Sequence, residues 1–218
     1  MTSAFLRDRY AVLPRDCAQW PFERLRDELE ALRDSPARLV VLELEGAGGE
    51  RWEEEQLLWL ERYQLPTVAA LRGEISGHLL DLALACDIRV AGESASLRFR
   101  TIGTRRMMLL LGLDRSVEVL QQRGQVDSAT ALRVGLVSRL APDGELDATV
   151  TRLAETIAAR GPIAVQLAKE AIWRGLAMPL EQALRFETDL TLLLQTTKDR
   201  AEGVRAFLEK RSPEFTGT

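Results

Sequence analysis

The spacing of apolar side chains predicts a helix followed by a buried strand near the amino terminus. In residues 20–33 one helical face carries four apolar positions, Phe22, Leu25, Leu29 and Leu32. The pair Ser35-Pro36 ends that helix. Residues 39–44, LVVLEL, form a short apolar run typical of a buried strand, and residues 53–63 predict a second helix.

A segment interrupted by glycines predicts a strand, a turn and a helix start. Residues 66–71, PTVAAL, suit a buried strand, Gly73 and Gly77 follow it, and residues 79–86 form an apolar helical stretch. The first amides of a helix lack intrahelical acceptors and lie at the positive end of its dipole. Such a turn can stabilise an oxygen that gains negative charge, as an oxyanion hole does. The alternative is a tight connection in which the glycines only relieve crowding.

Strand and helix patterns alternate up to about residue 146, which predicts βαβ units and an α/β core. Residues 88–91 predict a further strand. From about Asp147 onward only helical patterns follow, and Gly161-Pro162 and Met178-Pro179 each open a helix. The sequence DRAE at residues 199–202 predicts a capping box at the start of the last helix.

Composition narrows the functional classes. The 218 residues are 46% hydrophobic and 28% charged, which is typical of one soluble globular unit or of one domain with a smaller appendage. With a net charge of −4 and arginines interspersed among acids, the chain shows no basic stripe, so we expect no nucleic-acid partner. No segment approaches the ~18 apolar residues that span a bilayer, so we expect no membrane partner and a cytoplasmic location. Cys17 and Cys86 fit reduced buried thiols better than a disulfide or a metal site.

Several blocks resemble the enoyl-CoA hydratase/isomerase, or crotonase, superfamily in order and spacing. These blocks are PTVAALRG at 66–73, DLALACDIRVA at 81–91, ALRVGLV at 131–137, GPIAVQLAKE at 161–170 and EGVRAFLEKRSPEF at 202–215. The similarity covers roughly residues 36–217. It implies an α/β fold with a crotonase-like spiral core of ββα units in residues 1–145. A C-terminal α-helical trimerisation region is implied in residues 146–218.

The resemblance also implies a ligand and an oxyanion hole. The ligand is an acyl thioester of CoA or of an acyl carrier protein, the coenzyme A moiety belongs to the substrate, and no separate cofactor is expected. Members of the family form homotrimers or dimers of trimers. Two backbone amides hold the thioester carbonyl while an enolate forms. By position, the first belongs to His78, after Gly77, where the family commonly shows three glycines. Gly48, or its neighbour Ala47 or Gly49, is the candidate for the second, and a plain turn is the alternative.

His78, the only histidine, has two interpretations. Its imidazole, with an ordinary pKa of about 6.5, can donate a hydrogen bond or shuttle a proton. Alternatively, it caps the helix or fills the pocket, and we favour this interpretation because the sequence identifies no group that would orient the ring.

The two catalytic acids of the family are both altered. Asp81 stands where hydratases carry the first of two glutamates, and it is one methylene shorter. It is a candidate base if burial raises its pKa, and otherwise an ordinary helix-start residue. Thr101 falls nearest the second glutamate, and the glycine-rich loop around it is shortened. Threonine is no general acid or base near neutral pH, so we do not expect two-carboxylate hydration.

Phe207 and Lys210 lie three positions apart, on one face of the last predicted helix, where relatives contact the nucleotide end of CoA. The alternative is a packed phenylalanine and a solvated lysine. Two classes of function remain. One is an enzyme that uses Asp81 for a one-carboxylate isomerisation or dehydration. The other is a non-catalytic crotonase-fold subunit or scaffold that lacks the second catalytic acid.

Overall fold

The structure is a computed structural model that describes residues 4–47, 51–99, 104–121 and 124–218. Within these residues one mixed sheet contains all the strands, in the order β1-β2-β3-β4-β5-β8, and β6 pairs with both β4 and β7. The pairs β1–β2 and β6–β7 are antiparallel and the others are parallel. The strands are β1 (Phe5–Arg7), β2 (Tyr10–Leu13), β3 (Val40–Ala47), β4 (Thr67–Ser76), β5 (Ile88–Gly92), β6 (Ser96–Arg98), β7 (Gln125–Asp127) and β8 (Arg139–Ala141).

Helices follow most of the strands and continue alone after residue 146. Short 3₁₀ helices cover Arg15–Gln19 and Asp143–Glu145. The α-helices are α1 (Phe22–Arg33), α2 (Glu54–Glu61), α3 (His78–Ala85), α4 (Thr104–Gln121), α5 (Ser128–Val134), α6 (Leu146–Ala158), α7 (Pro162–Gly175), α8 (Leu180–Gln195) and α9 (Lys198–Glu209). Helix α4 is interrupted at Gly112, whose φ of 74° and ψ of 179° are not helical. No helix of the described segments is long and apolar enough to cross a membrane.

Strand β4 pairs with one neighbouring strand in its first half and with another in its second half, and it leads into α3. Its first half, from Val68 to Leu71, pairs with β5, and its second half, from Glu74 to Ser76, pairs with β6. Gly73 lies between the halves with a φ of 60°, in the left-handed region that favours glycine. The strand can therefore leave one neighbour for another and still run directly into α3.

Apolar side chains fill both faces of the sheet. On one face the larger core joins α1, α2, α3 and the inner side of α4, and the predicted apolar face of α1 is buried in full. On the other face α6 covers the strands through Leu146, Val150, Leu153 and Ala154. The first of the post-sheet helices is thus packed on the sheet. The division of the chain at residues 145 and 146 stays a prediction.

Most predicted elements are found, and the differences have local causes. The strand predicted at 66–71 extends to Ser76, because pairing with β6 continues it beyond Gly73. The capping box at 199–202 is wrong: Thr197 is the N-cap of α9, and its side chain accepts a hydrogen bond from the Arg200 amide. Asp199 instead accepts hydrogen bonds from the Thr216 and Gly217 amides and fixes the chain end. Strands β1, β2, β6, β7 and β8 had no counterpart in the predicted strands.

The carboxylate of Asp87 connects the sheet to the carboxy-terminal helices. It accepts hydrogen bonds from the amide and the hydroxyl of Thr67, at the start of β4. From α7 it receives the ammonium of Lys169 at 2.7 Å and the indole nitrogen of Trp173 at 3.3 Å. The Lys169 and Asp87 side chains are only 10% and 16% exposed. This cluster accounts for the aspartate of the DLALACD block and for the lysine of the GPIAVQLAKE block as a structural pair.

Replacing Lys169 with methionine tests this connection. The substitution keeps a long side chain but leaves Asp87 without its cation, and a loss of about 2–4 kcal/mol in the free energy of unfolding is expected. Lys198→Met is the matched control, because Lys198 is exposed on α9. Urea unfolding of both variants measures the effect. Equal losses for the two variants would show that the pair does not hold α7 to the sheet.

Candidate active site

The turn between β4 and α3 presents backbone amides that have no acceptor within the helix. Gly77 is the N-cap of α3, with a φ of 63° and a ψ of −138° that exclude other residue types in practice. Its carbonyl accepts hydrogen bonds from the amides of Leu80 and Asp81. The amides of His78 and Leu79 precede these two and are the ones left without an acceptor in the helix. They lie at the positive end of α3, where a negatively charged oxygen is stabilised.

The end of strand β3 lies directly beside this turn. Ala47 is the strand partner of Ser76, the last residue of β4 before Gly77. The register shifts between Glu45 and Ala47, and Gly46 has a φ of 93° there. The segment considered for the second oxyanion amide therefore starts next to the first. Gly48 and Gly49 lie outside the described residues.

The ring of His78 packs on the ring of Trp52. His78 is 8% exposed and Trp52 is 4% exposed. The two ring centres are 4.8 Å apart, and the planes are inclined by 50°. His78 makes no capping hydrogen bond, because the N-cap of α3 is Gly77 and neither imidazole nitrogen has a partner among the described residues. Burial lowers the pKa of His78 to about 4, so the imidazole is neutral at physiological pH. Of the two structural roles considered for this residue, the ring fills space and does not cap.

Asp81 lies one helical turn behind this ring, in the first turn of α3. Burial raises the pKa of its carboxyl above the ordinary value, and the nearby Arg106 guanidinium opposes that shift. The carboxylate of Glu54 adds to the rise. A carboxylate whose pKa is moved towards neutrality by burial is suited to abstract a proton.

Arg106 of α4 gathers acidic residues next to Asp81. The guanidinium is 3% exposed, its Nε donates to Glu61 at 2.5 Å, and another nitrogen donates to Glu54 at 3.1 Å. Helix α4 is thereby tied to both ends of α2, beside the first turn of α3. Sequence reasoning missed this cluster. The sequence gives no local signal for it, because the cluster joins segments that are distant along the chain.

Trp52 was also missed, although its position is informative. It directly precedes Glu53, the N-cap of α2, where Glu53 and Gln56 form a capping box. An apolar residue just before a capping box commonly packs against its own helix. Here Trp52 packs edge-on against Phe22 of α1, with ring centres 5.3 Å apart, and contacts His78.

The remaining candidate residues are Thr101, Phe207 and Lys210. Thr101 lies outside the described residues. Phe207 is 82% exposed on α9, which packs against α8. Lys210 lies beyond the end of α9 as its C-cap, with a φ of 54°, so the two do not share one helical face as predicted. The described residues contain no group of three His, Cys, Asp or Glu side chains placed to hold a metal ion.

The neutral, buried state of His78 predicts a pH-dependent loss of stability. Its folded pKa of about 4 lies below the unfolded value of about 6.5, so the unfolded chain takes up the proton first as the pH falls. Stability is full above about pH 6.5 and decreases towards pH 4. Between about pH 7 and pH 4, wild type should lose about 2 kcal/mol more than His78→Phe, measured by urea unfolding. If the free energy of unfolding changed equally with pH in wild type and in His78→Phe, the neutral, buried state of His78 would be contradicted.

Comparison with known proteins gives the same family along most of the chain. Residues 41–218 match the family model described as enoyl-CoA hydratase/isomerase. A probable mitochondrial enoyl-CoA hydratase 2 of Arabidopsis thaliana is 34% identical over 168 residues, which are 73% of this chain and 56% of that protein. The 2,3-dehydroadipyl-CoA hydratase of Escherichia coli is 33% identical over 171 residues, which are 73% of this chain and 67% of that protein. The chain thus spans between about half and two thirds of the length of these relatives.

Solved structures agree over nearly the whole chain. The enoyl-CoA hydratase of Bacillus anthracis superposes with a TM-score of 0.84, at 30% identity, and covers 99% of both chains. A structure described as an enoyl-CoA hydratase of Streptomyces coelicolor gives a TM-score of 0.84 at 27% identity and covers 99% of this chain and 94% of its own. These likenesses confirm the crotonase-like α/β fold. The chain therefore belongs to the enoyl-CoA hydratase/isomerase family.

Proposed function

We propose that the chain binds an acyl thioester at the Gly77 turn and uses Asp81 for a one-carboxylate reaction on it. The observation that carries this proposal is the placement of Asp81, with its pKa raised by burial, one turn behind the free amides of α3. A base and an oxyanion site on the same helix start match the needs of enolate chemistry. The names of the relatives support a CoA thioester as the ligand.

In the proposed reaction Asp81 removes a proton from the carbon next to the thioester carbonyl. The electron pair moves into the carbonyl, and the enolate oxygen accepts a hydrogen bond from the His78 amide. The protonated carboxyl of Asp81 then returns the same proton to the far carbon of a neighbouring double bond. The double bond has shifted, and no atom is gained or lost. In dehydration, the other reaction in this class, Asp81 takes the proton from the same carbon of a 3-hydroxyacyl thioester and returns it to the departing hydroxyl, which leaves as water.

The surroundings of Asp81 favour a reaction that needs only one catalytic carboxylate. Glu54 of α2 is an acidic neighbour of Asp81, and Arg106 holds both Glu54 and Glu61. Both carboxylates are engaged by this buried guanidinium, so neither is proposed as a proton donor to the ligand. Hydration needs a base for water and an acid for the adjacent carbon. Isomerisation requires only the group that Asp81 provides.

A second candidate function is a non-catalytic crotonase-fold subunit or scaffold. The burial of His78 favours it, because the ring and Trp52 occupy space beside the turn where a ligand has to approach the backbone closely. In that case the fold is kept to support a partner enzyme. Absence of turnover across a panel of enoyl and hydroxyacyl thioesters supports this alternative, and robust turnover of any of them rules it out.

We also propose a ligand and a carrier for it. The thioester is carried by CoA or by an acyl carrier protein, and the coenzyme A moiety enters with the substrate. Phe207 and Lys210 are proposed to contact the nucleotide end of CoA, because both side chains are exposed and the family block EGVRAFLEK contains them. The cytoplasmic location stays a prediction.

We also propose that the chain forms a homotrimer or a dimer of trimers through its carboxy-terminal helices. Helix α7 buries no side chain fully, and α8 buries only Leu190. Large apolar side chains on α7 to α9 are more than half exposed: Ile172, Leu176, Leu180, Leu184, Leu192, Leu193, Phe207 and Leu208. Such an extended apolar surface is typical of a protein–protein interface.

The role of Asp81 is tested by Asp81→Asn. The amide keeps the shape of the side chain but cannot accept the proton, so turnover of a 3-enoyl-CoA should fall by about 10²-fold to 10⁴-fold. Asp27→Asn is the matched control, because Asp27 is exposed on α1. The acid limb of the pH profile of wild type is expected above the ordinary aspartate pKa, because burial raises the pKa of Asp81 and only its ionised form is the base. Full activity in Asp81→Asn would remove Asp81 from the mechanism.

The proposed oligomer is tested by light scattering after gel filtration. Wild type is expected at three or six times the 24.4 kDa chain mass. Leu184→Glu places a charge on the exposed face of α8 and should shift the protein towards the monomer. Leu132→Glu on α5 is the control, because this leucine is exposed outside the carboxy-terminal helices. A monomeric wild type would contradict the proposal.

A further inference from the structure

The rings of Trp52 and His78 close the space beside the Gly77 turn. Trp52 is 4% exposed, His78 is 8% exposed, and the ring centres are 4.8 Å apart. His78 is the first residue of α3, so its ring is attached to a residue whose amide lacks an acceptor in the helix. A ligand oxygen that reaches this amide therefore needs space next to a buried pair of rings.

Neither ring of this pair is held by a hydrogen bond. Among the described residues, both imidazole nitrogens of His78 and the indole nitrogen of Trp52 are buried without a partner. Folded proteins pair more than nine tenths of such groups, because a buried group that loses water and gains no partner destabilises the fold. Both rings recover hydrogen bonds to water when they turn outwards. The closed arrangement thus carries a cost that an open arrangement avoids.

Two other buried aromatic residues of the chain show the contrast. Trp20 is 2% exposed, but its indole nitrogen donates to Asp16 at 3.2 Å. Tyr63 is buried as well, and its hydroxyl donates to the Leu29 carbonyl. These rings have their polar atoms satisfied, as is usual for buried tyrosine and tryptophan. The missing hydrogen bonds are therefore a property of the ring pair and not of aromatic burial in general.

Apolar contact holds the pair closed. Trp52 packs edge-on against Phe22, with ring centres 5.3 Å apart, and such burial of aromatic surface is favourable. Burial is also the cause of the lowered pKa of His78, and no charged side chain of the described residues contributes to it. The imidazole is thus not fixed by an ion pair. Favourable packing that is opposed by unpaired polar atoms leaves the closed and open arrangements close in free energy.

Trp52 lies on a segment that can move without unfolding a helix. Residues 51–53 are in neither a helix nor a strand, and Glu53 is the N-cap of α2. Helix α2 itself is tied to α4 through the guanidinium of Arg106, which binds both ends of the helix. The indole can therefore leave His78 while α2 stays in place.

We infer that Trp52 and His78 form a gate that covers the Gly77 turn in the free protein and opens when an acyl thioester binds. The inference rests on the proposed binding of a thioester at this turn, and it adds a regulation of that site. Molecules in the closed arrangement do not bind, so the apparent affinity decreases in proportion to the open fraction. The chain can in this way carry a histidine beside its oxyanion amide and still admit a ligand.

Fluorine NMR of the full chain labelled with fluorotryptophan follows the gate directly. The chain has four tryptophans, and the signal that is lost in Trp52→Phe belongs to Trp52. Saturating butyryl-CoA should move this signal, because the indole leaves its contact with His78. The signal of Trp20 should stay in place, because that ring is buried with its hydrogen bond to Asp16.

Calorimetry with butyryl-CoA measures the effect of the gate on affinity. His78→Ala lacks the ring and should bind about tenfold more tightly than wild type, the ratio expected when about one wild-type molecule in ten is open. Trp59→Phe is the matched control and should bind as wild type does. Trp59 lies on α2 and packs on Phe22 instead of His78.

The outcomes separate the gate from the proposed function. Binding of butyryl-CoA with an unmoved Trp52 signal overturns the gate alone, because the proposed ligand then binds. An affinity of His78→Ala no higher than that of wild type also overturns it, because no closed arrangement then competes with the ligand. Absence of binding to both proteins overturns the gate together with the proposed ligand. The wild-type titration decides the question if His78→Ala fails to fold.

Discussion

The partly buried carboxylate of Asp87 is the interaction on which the arrangement of the whole chain depends. It stands between the end of α3 and the start of β5, and it holds the first residue of β4 and the helix α7 at the same time. A carboxylate in this position is stable only with its hydrogen bonds and its cation in place. Strand β4 is thereby fixed at the end opposite to the site, and α3 is fixed at its carboxyl end. The Gly77 turn connects β4 to α3, and the far ends of both elements are tied to the Asp87 carboxylate.

The site follows from a second constraint, the left-handed backbone at Gly77. Because β4 must turn sharply into α3, the first amides of the helix are left facing away from it. Burial then acts in opposite directions on the two titratable groups of this helix start. It keeps the imidazole of His78 neutral and moves the carboxyl of Asp81 towards protonation. One turn of α3 therefore combines hydrogen-bond donors for an oxygen with a carboxylate of increased basicity.

The sequence predicted the elements well where the signal was local. The apolar face of α1, the strand at β3 and the glycines before α3 are encoded within a few neighbouring residues. The site was predicted only in part, since Gly77, His78 and Asp81 share one short segment. Arg106 and Trp52 reach the same place from α4 and from the residue before α2, and such contacts between distant segments leave no periodic signal. The αL backbone that ends α9 at Lys210 was likewise invisible, because lysine rarely adopts it.

The Gly77 turn is proposed to receive the thioester carbonyl of an acyl-CoA. A crystal structure of the protein soaked with butyryl-CoA tests it most directly. The account predicts the thioester oxygen within hydrogen-bond distance of the His78 amide, with the carbon next to it facing the Asp81 carboxylate. An acyl chain bound away from this turn, with the His78 ring and Trp52 still filling the space beside it, would contradict the account.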